Sequence, residues 1–192
     1  MKEKIGLVGC GVMGQQIAKK LLTCNYEIAV FDRDENAILK ANELGCIAYS
    51  SPASIASETS IVLISLPAPA HVTDTVCKKN IGLLTSMKAG SVIIDTSTVD
   101  PTTTQKLELK AAKRNIGYVD APVLGRPSSV GKWTLPTGGT AEAVAKATPV
   151  LKMLAEKVVH LGPAGSGNKL KLLNNLMFGA INSITCEVFA LC

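Results

Sequence analysis

The chain has 192 residues, enough for one domain with a full core and not comfortably for two. A hydrophobic content of 47% and a mean hydropathy of +0.28 exclude a disordered chain, and with aromatics at 4% the core must be filled by aliphatic side chains. The net charge of +5 comes from scattered basic residues, none in runs longer than pairs such as Lys19-Lys20, so no nucleic-acid partner is expected.

The first element is an apolar run over residues 5–8, which predicts a buried parallel strand. It leads directly into Gly9-Cys10-Gly11-Val12-Met13-Gly14, and a helical pattern follows with Met13, Ile17 and Leu21 on one face. Strand, glycine turn and helix in this order suit a dinucleotide pyrophosphate. Gly9 permits the tight turn, Gly11 lets the phosphates approach the backbone, Gly14 lets helix and strand pack closely, and the helix N-terminus faces the anion. Residues 27–31 form a second strand ending at Asp32, eighteen positions after Gly14 and near the spacing of the acid that binds the adenosine ribose. Asp32 accepts from a ribose 2′-hydroxyl and repels a 2′-phosphate, whereas Arg33 can attract that phosphate. NAD is favoured as cofactor, and NADP stays open.

Residues 35–44 predict a helix, 47–49 a short strand and 52–57 a short helix. The run 61–65 predicts a buried strand that stops at Leu66-Pro67, at the sheet edge where open α/β sheets bind ligands. His71, just beyond, is either a surface helix residue or a cofactor contact. Residues 91–95 predict the next strand. Thr96-Ser97-Thr98-Val99-Asp100-Pro101 then starts a helix expected to run to about Asn115. Capping explains Asp100 and Pro101, and three consecutive hydroxyls suggest ligand contacts as well. Residues 117–122 predict another strand. Residues 133–139 are expected to pair with it as an edge or antiparallel strand, since Pro136 would spoil a central one. A helix over 141–155 and a last strand over 158–161 follow, and then one long helix from Ser166 to the end.

The six cysteines show no C-x-x-C pair or metal spacing, so no metal is expected and free thiols are. The first residues enter a core strand without a signal peptide, and the expected location is the cytoplasm. A membrane span is not expected in the last helix, because Lys171, Asn174, Asn175, Asn182 and Glu187 interrupt it. Apolar on nearly all sides, that helix needs cover from another domain or a partner subunit, and a homo-oligomer formed through it is expected. Gly167, Lys171 and Asn175, spaced four apart, form one stripe with Asn174 beside it. A lysine and asparagines on one stripe suit chemistry at an alcohol carbon. The lysine passes a proton to or from the oxygen, and an asparagine orients that oxygen or a carboxylate.

Four stretches together resemble the β-hydroxyacid dehydrogenase family, which includes 3-hydroxyisobutyrate dehydrogenases and tartronate semialdehyde reductases. They are residues 6–14, residues 95–101, Asp120-Ala121-Pro122-Val123, and Gly165-Ser166-Gly167 through Lys171 to Asn174-Asn175, in the family's order. The resemblance implies a doubly wound, mostly parallel α/β domain over residues 1–164 and the beginning of an interdomain helix over 165–192. It implies that Lys171 is the catalytic proton donor or acceptor and that Asn175 assists at the substrate. Leu66, Pro67, His71 and Thr98 match positions that touch the cofactor, while Ser97 and the loop at Gly125 match positions near a small carboxylate-bearing substrate.

Three departures stand against that pattern. Leu124-Gly125-Arg126 replaces Ser-Gly-Gly, removing a hydroxyl and bringing an arginine that can grip a carboxylate bidentately. Lys132-Trp133 replaces a small Ala-Gly. The family continues into an all-helical domain where this sequence ends at Cys192. The expected activity is therefore NAD(P)-dependent hydride transfer between nicotinamide and a small β-hydroxyacid or its semialdehyde. Two alternatives are a related reductase of imines or larger carbonyls and a cofactor-binding part without turnover.

Overall fold

Hydrophobic runs without alternation are the signature of strands buried on both faces, and the structure shows why they occur here. This computed structural model describes residues 3–192; Met1 and Lys2, the first two residues of the expected domain, lie outside the described residues. β1 (Lys4–Val8) sends Ile5 and Leu7 into one apolar cluster and Val8 into a second on the opposite face. β2 (Glu27–Phe31) and β4 (Ile61–Ile64) divide in the same way: Ile28, Val30 and Leu63 face one cluster, and Ala29, Val62 and Ile64 the other.

With β3 (Ile47–Ala48), β5 (Val92–Asp95), β6 (Gly117–Asp120), β7 (Trp133–Gly138) and β8 (Ala155–Gly162), these strands form one sheet in the order β3-β2-β1-β4-β5-β6-β7-β8. All pairings are parallel except β6 with β7. The helices are α1 (Val12–Thr23), α2 (Glu35–Glu43), α3 (Pro52–Glu58), α4 (Pro69–Cys77), α5 (Leu83–Ser86), α6 (Pro101–Ala112), α7 (Ala141–Leu154) and α8 (Ser166–Ala190). Strand order reverses between β1 and β4, and this reversal opens a crevice at the carboxyl ends of the strands. The fold is the expected doubly wound, mostly parallel sheet followed by a long helix.

Three local expectations are corrected. β7 is antiparallel to β6 as expected, but it is not the edge, because β8 pairs along its outer side. Pro136 is tolerated there because β7 and β6 pair only at Asp120 and Gly138. On that inner side the carbonyl of Pro136 faces Gly167 of α8 rather than a neighbouring strand. The helix expected to reach Asn115 ends at Ala112, because Asn115 takes a left-handed conformation (φ 56°) and the Ile116 N–H closes the turn onto the Ala111 carbonyl. The last strand is longer than residues 158–161, since β7 offers it a parallel partner from Ala155 to Gly162.

All six cysteines are free. Among the described residues no helix is long and apolar enough to cross a membrane, and no group of three or more His, Cys, Asp or Glu side chains is placed to hold a metal ion.

Candidate functional site

The crevice at the strand-order reversal holds a cleft of about 670 Å³. Its floor is the turn after β1, where Gly9, Gly11, Val12, Met13 and Gly14 line it. One wall comes from the end of β2, with Asp32 and Arg33, and the other from the end of β4 and the start of α4, with Leu66, Pro67 and His71. Val8, Phe31, Asp34, Ala37, Ser65 and Thr75 complete the lining. The sequence reading did not name these six, although Ser65 adjoins Leu66 at a strand end and Asp34 follows Asp32.

The three glycines of the turn do different work. Gly9 has φ 98°, and a Cβ there would overlap the Ser65 carbonyl oxygen. A Cβ on Gly14 would overlap the Gly9 carbonyl oxygen, so this glycine allows α1 to pack against the turn. Gly11 is exposed, has an ordinary φ of −66°, and a Cβ there would meet nothing within 4 Å. The fold therefore requires Gly9 and Gly14 but not Gly11, whose bare backbone opens onto the cleft at the N-terminus of α1. Open backbone N–H groups at a helix N-terminus, with room beside them, fit a pyrophosphate.

Asp32 is held in place by the backbone. One carboxylate oxygen accepts the Cys10 N–H at 2.6 Å and the other the Asp34 N–H at 2.9 Å. The glycine turn and Asp32 are thereby one unit. Cys10 supplies only its backbone, since its side chain is buried, its thiol is pushed up to about 12 mainly by that burial, and it does not line the cleft.

Of the three hydroxyls after β5, the fold uses two. Thr96 Oγ1 donates to the Ile64 carbonyl at 2.7 Å, and Ser97 Oγ accepts the Leu66 N–H at 2.9 Å; both residues are buried, and only Thr98 is exposed. They join the β4 and β5 ends and fix the Leu66-Pro67 wall. Asp100 caps α6 by accepting the Thr103 N–H, as expected.

The proposed chemical groups sit apart from the cleft lining. Lys171 lies one turn into α8 beyond Gly167 and is half-buried, and this burial lowers its pKa from the ordinary 10.5. Asn175 is exposed one turn further on. Arg126 is exposed on the loop after β6, which is built around Trp133. The fully buried indole donates to the Arg126 carbonyl at 2.8 Å, and a Cβ on Gly125 would overlap its ring. Leu124 and Thr134 exchange both backbone hydrogen bonds above it. The two loop departures in the sequence are therefore one structural unit. The space beside Gly125 is filled by the tryptophan.

α8 is anchored by groups to which the sequence reading gave no role. Asp120, fully buried, accepts the Gly165 N–H and the Asn168 N–H, each at 2.8 Å. Burial raises its pKa against the opposing pull of these donors. Asn168, also fully buried, accepts the Val99 N–H at 3.2 Å and donates to Thr104 Oγ1 at 3.1 Å. The turn carrying Lys171 is thus tied to the loop carrying Thr98.

Asp95 sits opposite Asp120 on the neighbouring strand, accepting from Tyr118 Oη at 2.8 Å and from the Ser97 N–H at 2.9 Å. Burial lifts its pKa from 3.8 to about 6, with Asp120 adding to the rise and the hydrogen bonds opposing it. Between about 3.8 and about 6 the folded chain holds a proton at Asp95 that the unfolded chain has lost, so this group's contribution to stability falls as pH rises through that window. Urea unfolding of Asp95→Asn should show a smaller decline in stability across the window than the unaltered chain. Identical pH profiles would contradict the assignment.

Comparison with known proteins agrees with this geometry. The family model for the NAD binding domain of 6-phosphogluconate dehydrogenase matches residues 4–162. A 2-(hydroxymethyl)glutarate dehydrogenase of Eubacterium barkeri is 34% identical over 190 residues, covering 98% of this chain and 63% of that protein. A 3-hydroxyisobutyrate dehydrogenase of Pseudomonas aeruginosa is 33% identical over 189 residues, covering 97% and 63%. The solved structure of Mycobacterium tuberculosis 3-hydroxyisobutyrate dehydrogenase with L-serine superposes with a TM-score of 0.91 at 26% identity, covering 100% of this chain and 65% of that one. The chain thus spans somewhat under two thirds of the length of these relatives.

Proposed function

The chain belongs to the NAD-binding domain family of 6-phosphogluconate dehydrogenase, and within it to the β-hydroxyacid dehydrogenases, whose N-terminal NAD-binding part it matches; from that premise we propose that its protein oxidises a small β-hydroxyacid, or reduces the matching semialdehyde, with NAD as the preferred cofactor. The carrying observation is the cleft in which Gly11 leaves open backbone beside the backbone-held carboxylate of Asp32. Gly9, Gly11, Val12, Met13 and Gly14 would hold the pyrophosphate, Asp32 the adenosine ribose, and Leu66, Pro67, His71 and Thr98 the rest of the cofactor. Bound nicotinamide would supply the hydride acceptor or donor.

Lys171 takes the hydroxyl proton in oxidation and returns it in reduction. Its partly buried ammonium gives up a proton more readily than a solvated one, which suits a general base. Asn175, four residues on, orients the substrate oxygen, and the Arg126 guanidinium takes the carboxylate in a bidentate grip. Ser97 acts from behind this site, through its bond to the Leu66 backbone. The loop built on Trp133 supports a second reading, reduction of imines or larger carbonyls, because it replaces the small residues that the resemblance leads one to expect. Lys171 weighs against it. The exposed α8 supports the third reading, a cofactor-binding part without turnover.

A panel of small β-hydroxyacids, semialdehydes and imines, each assayed with NAD(H) and NADP(H), tests the proposal. NAD reduction by a hydroxyacid is the expected result. Turnover of imines alone, or of nothing by a protein that binds the cofactor, would replace it with the second or third reading. We also propose that a second copy of the chain covers α8, where Leu176, Phe178 and Phe189 are 72%, 60% and 75% exposed. Sedimentation would then give a multiple of 20.1 kDa, and a single 20.1 kDa species would contradict it.

A further inference from the structure

Arg33 and Asp74 meet across the cleft mouth. Arg33 follows Asp32 at the end of β2 and lines one wall. Asp74 lies on α4, the element of the opposite wall, between His71 and Thr75, which both line the cleft. The Arg33 Nη2 donates to Asp74 Oδ2 at 3.3 Å, the one bridge between these two walls among the ion pairs of the described residues. The side chains remain 59% and 51% exposed, and only one guanidinium nitrogen takes part, so the pair is wet and reversible.

The geometry points to Asp74 as a residue that sets cofactor choice by holding Arg33 away from the 2′-position of the adenosine ribose, so that the cleft discriminates against a 2′-phosphate. This inference rests on the cofactor reading above. Arg33 is the cationic group on the ribose wall, where Asp32 and Asp34 are both acidic. A 2′-phosphate arriving there needs a cation to offset two carboxylates, and it needs the planar guanidinium turned toward it. Asp74 opposes both requirements. It neutralises the arginine and draws it toward α4, and its own negative charge adds repulsion. A 2′-hydroxyl makes no such demand, because it needs only an acceptor. Asp32 provides that acceptor and is aimed by the Cys10 and Asp34 N–H groups independently of Arg33. Asp74 therefore bears on the phosphorylated cofactor and leaves the unphosphorylated one nearly untouched.

The test is calorimetric titration of the chain with NADH and NADPH for the unaltered protein, Asp74→Asn, Arg33→Gln and the double variant. All the altered side chains are exposed, and thermal unfolding confirms that each variant folds. Asp74→Asn should strengthen NADPH binding about fivefold to tenfold at low salt, with NADH affinity changed by less than about twofold. The gain should shrink at about 0.5 M salt, where exposed charges are screened. On the Arg33→Gln background Asp74→Asn should lose most of its effect, because the aspartate acts through the arginine. Unchanged NADPH affinity in Asp74→Asn would overturn the inference, as would an equal gain with Arg33 absent, which would mark Asp74 as a distant charge only. If NADH binds and Asp74→Asn does nothing, the cofactor reading stands and this inference falls. If the folded chain binds neither nucleotide, both fall.

Discussion

Replacing Asp120 with alanine is expected to lower the stability of the chain by about 2–6 kcal/mol, a fall in Tm of roughly 5–20 °C. The carboxylate is fully buried and accepts the Gly165 and Asn168 N–H groups. Each orphaned buried donor costs about 1–3 kcal/mol. No other residue can step in, because the space is already tight. A Cβ on Gly138 would overlap Asp120 Oδ1, and a Cβ on Gly167 would overlap the Pro136 carbonyl oxygen and come within 3.0 Å of an Asp120 carboxylate oxygen. Asp120→Asn should be nearly as damaging, since its amide would set a donor against a donor. Thermal and urea unfolding measure both variants. A loss below about 1 kcal/mol in each would mean that α8 is held by its other contacts, and the anchor assigned to Asp120 would be wrong.

The second large effect concerns turnover. Lys171→Ala should reduce kcat of the protein by about 10²–10⁴, the usual range for a general acid–base group, while NADH affinity stays within about twofold. Lys171 does not line the cleft formed by the glycine turn, so removing its side chain leaves that cleft intact. The pH profile should change with it. A lysine whose pKa is lowered by burial titrates below the usual lysine range, and the alkaline rise in oxidation rate that it governs should be absent from Lys171→Ala. Unchanged kcat would remove Lys171 from the chemistry. A parallel loss of cofactor binding would make its role structural.

Much of the fold was legible because parallel strands covered on both faces are written as unbroken apolar runs. Residues 61–64, all buried, show this most clearly. The cleft was legible for a similar reason. Ten of its lining residues follow from a local pattern, glycine turn to Asp32 and strand end to His71, in which neighbours in sequence are neighbours in space. What was not legible depends on contacts between distant residues. The Asn168 side chain meets Val99 and Thr104 across 69 and 64 positions, and nothing near Gly167 distinguishes it from a wet helix residue. Ser97 and Thr96 looked like ligand hydroxyls because their partners, Leu66 just past the end of β4 and Ile64 within it, lie some thirty positions back in the chain. Pro136 argued for an edge strand by a sound rule. The rule yielded because the side of β7 that lacks its N–H faces a helix. The pairing of Trp133 with Gly125 joins two departures that look unrelated along the chain.

The measurement that bears most directly on the whole account is titration of the chain and of its Gly11→Val variant with NADH, with Tm measured on the same samples. In the absence of a nucleotide a side chain at residue 11 meets nothing within 4 Å, and the backbone there is one that any residue adopts. The fold should therefore accept valine at the cost of a weaker helix cap only, about 1 kcal/mol or a fall in Tm of about 2–4 °C. A pyrophosphate at the α1 N-terminus should not, and NADH binding should weaken by about tenfold or more. Tight NADH binding by the unaltered chain, lost in a variant that stays folded, is the predicted result. Equal binding by the two proteins, or none by a folded unaltered chain, would show that the glycine turn does not hold a dinucleotide.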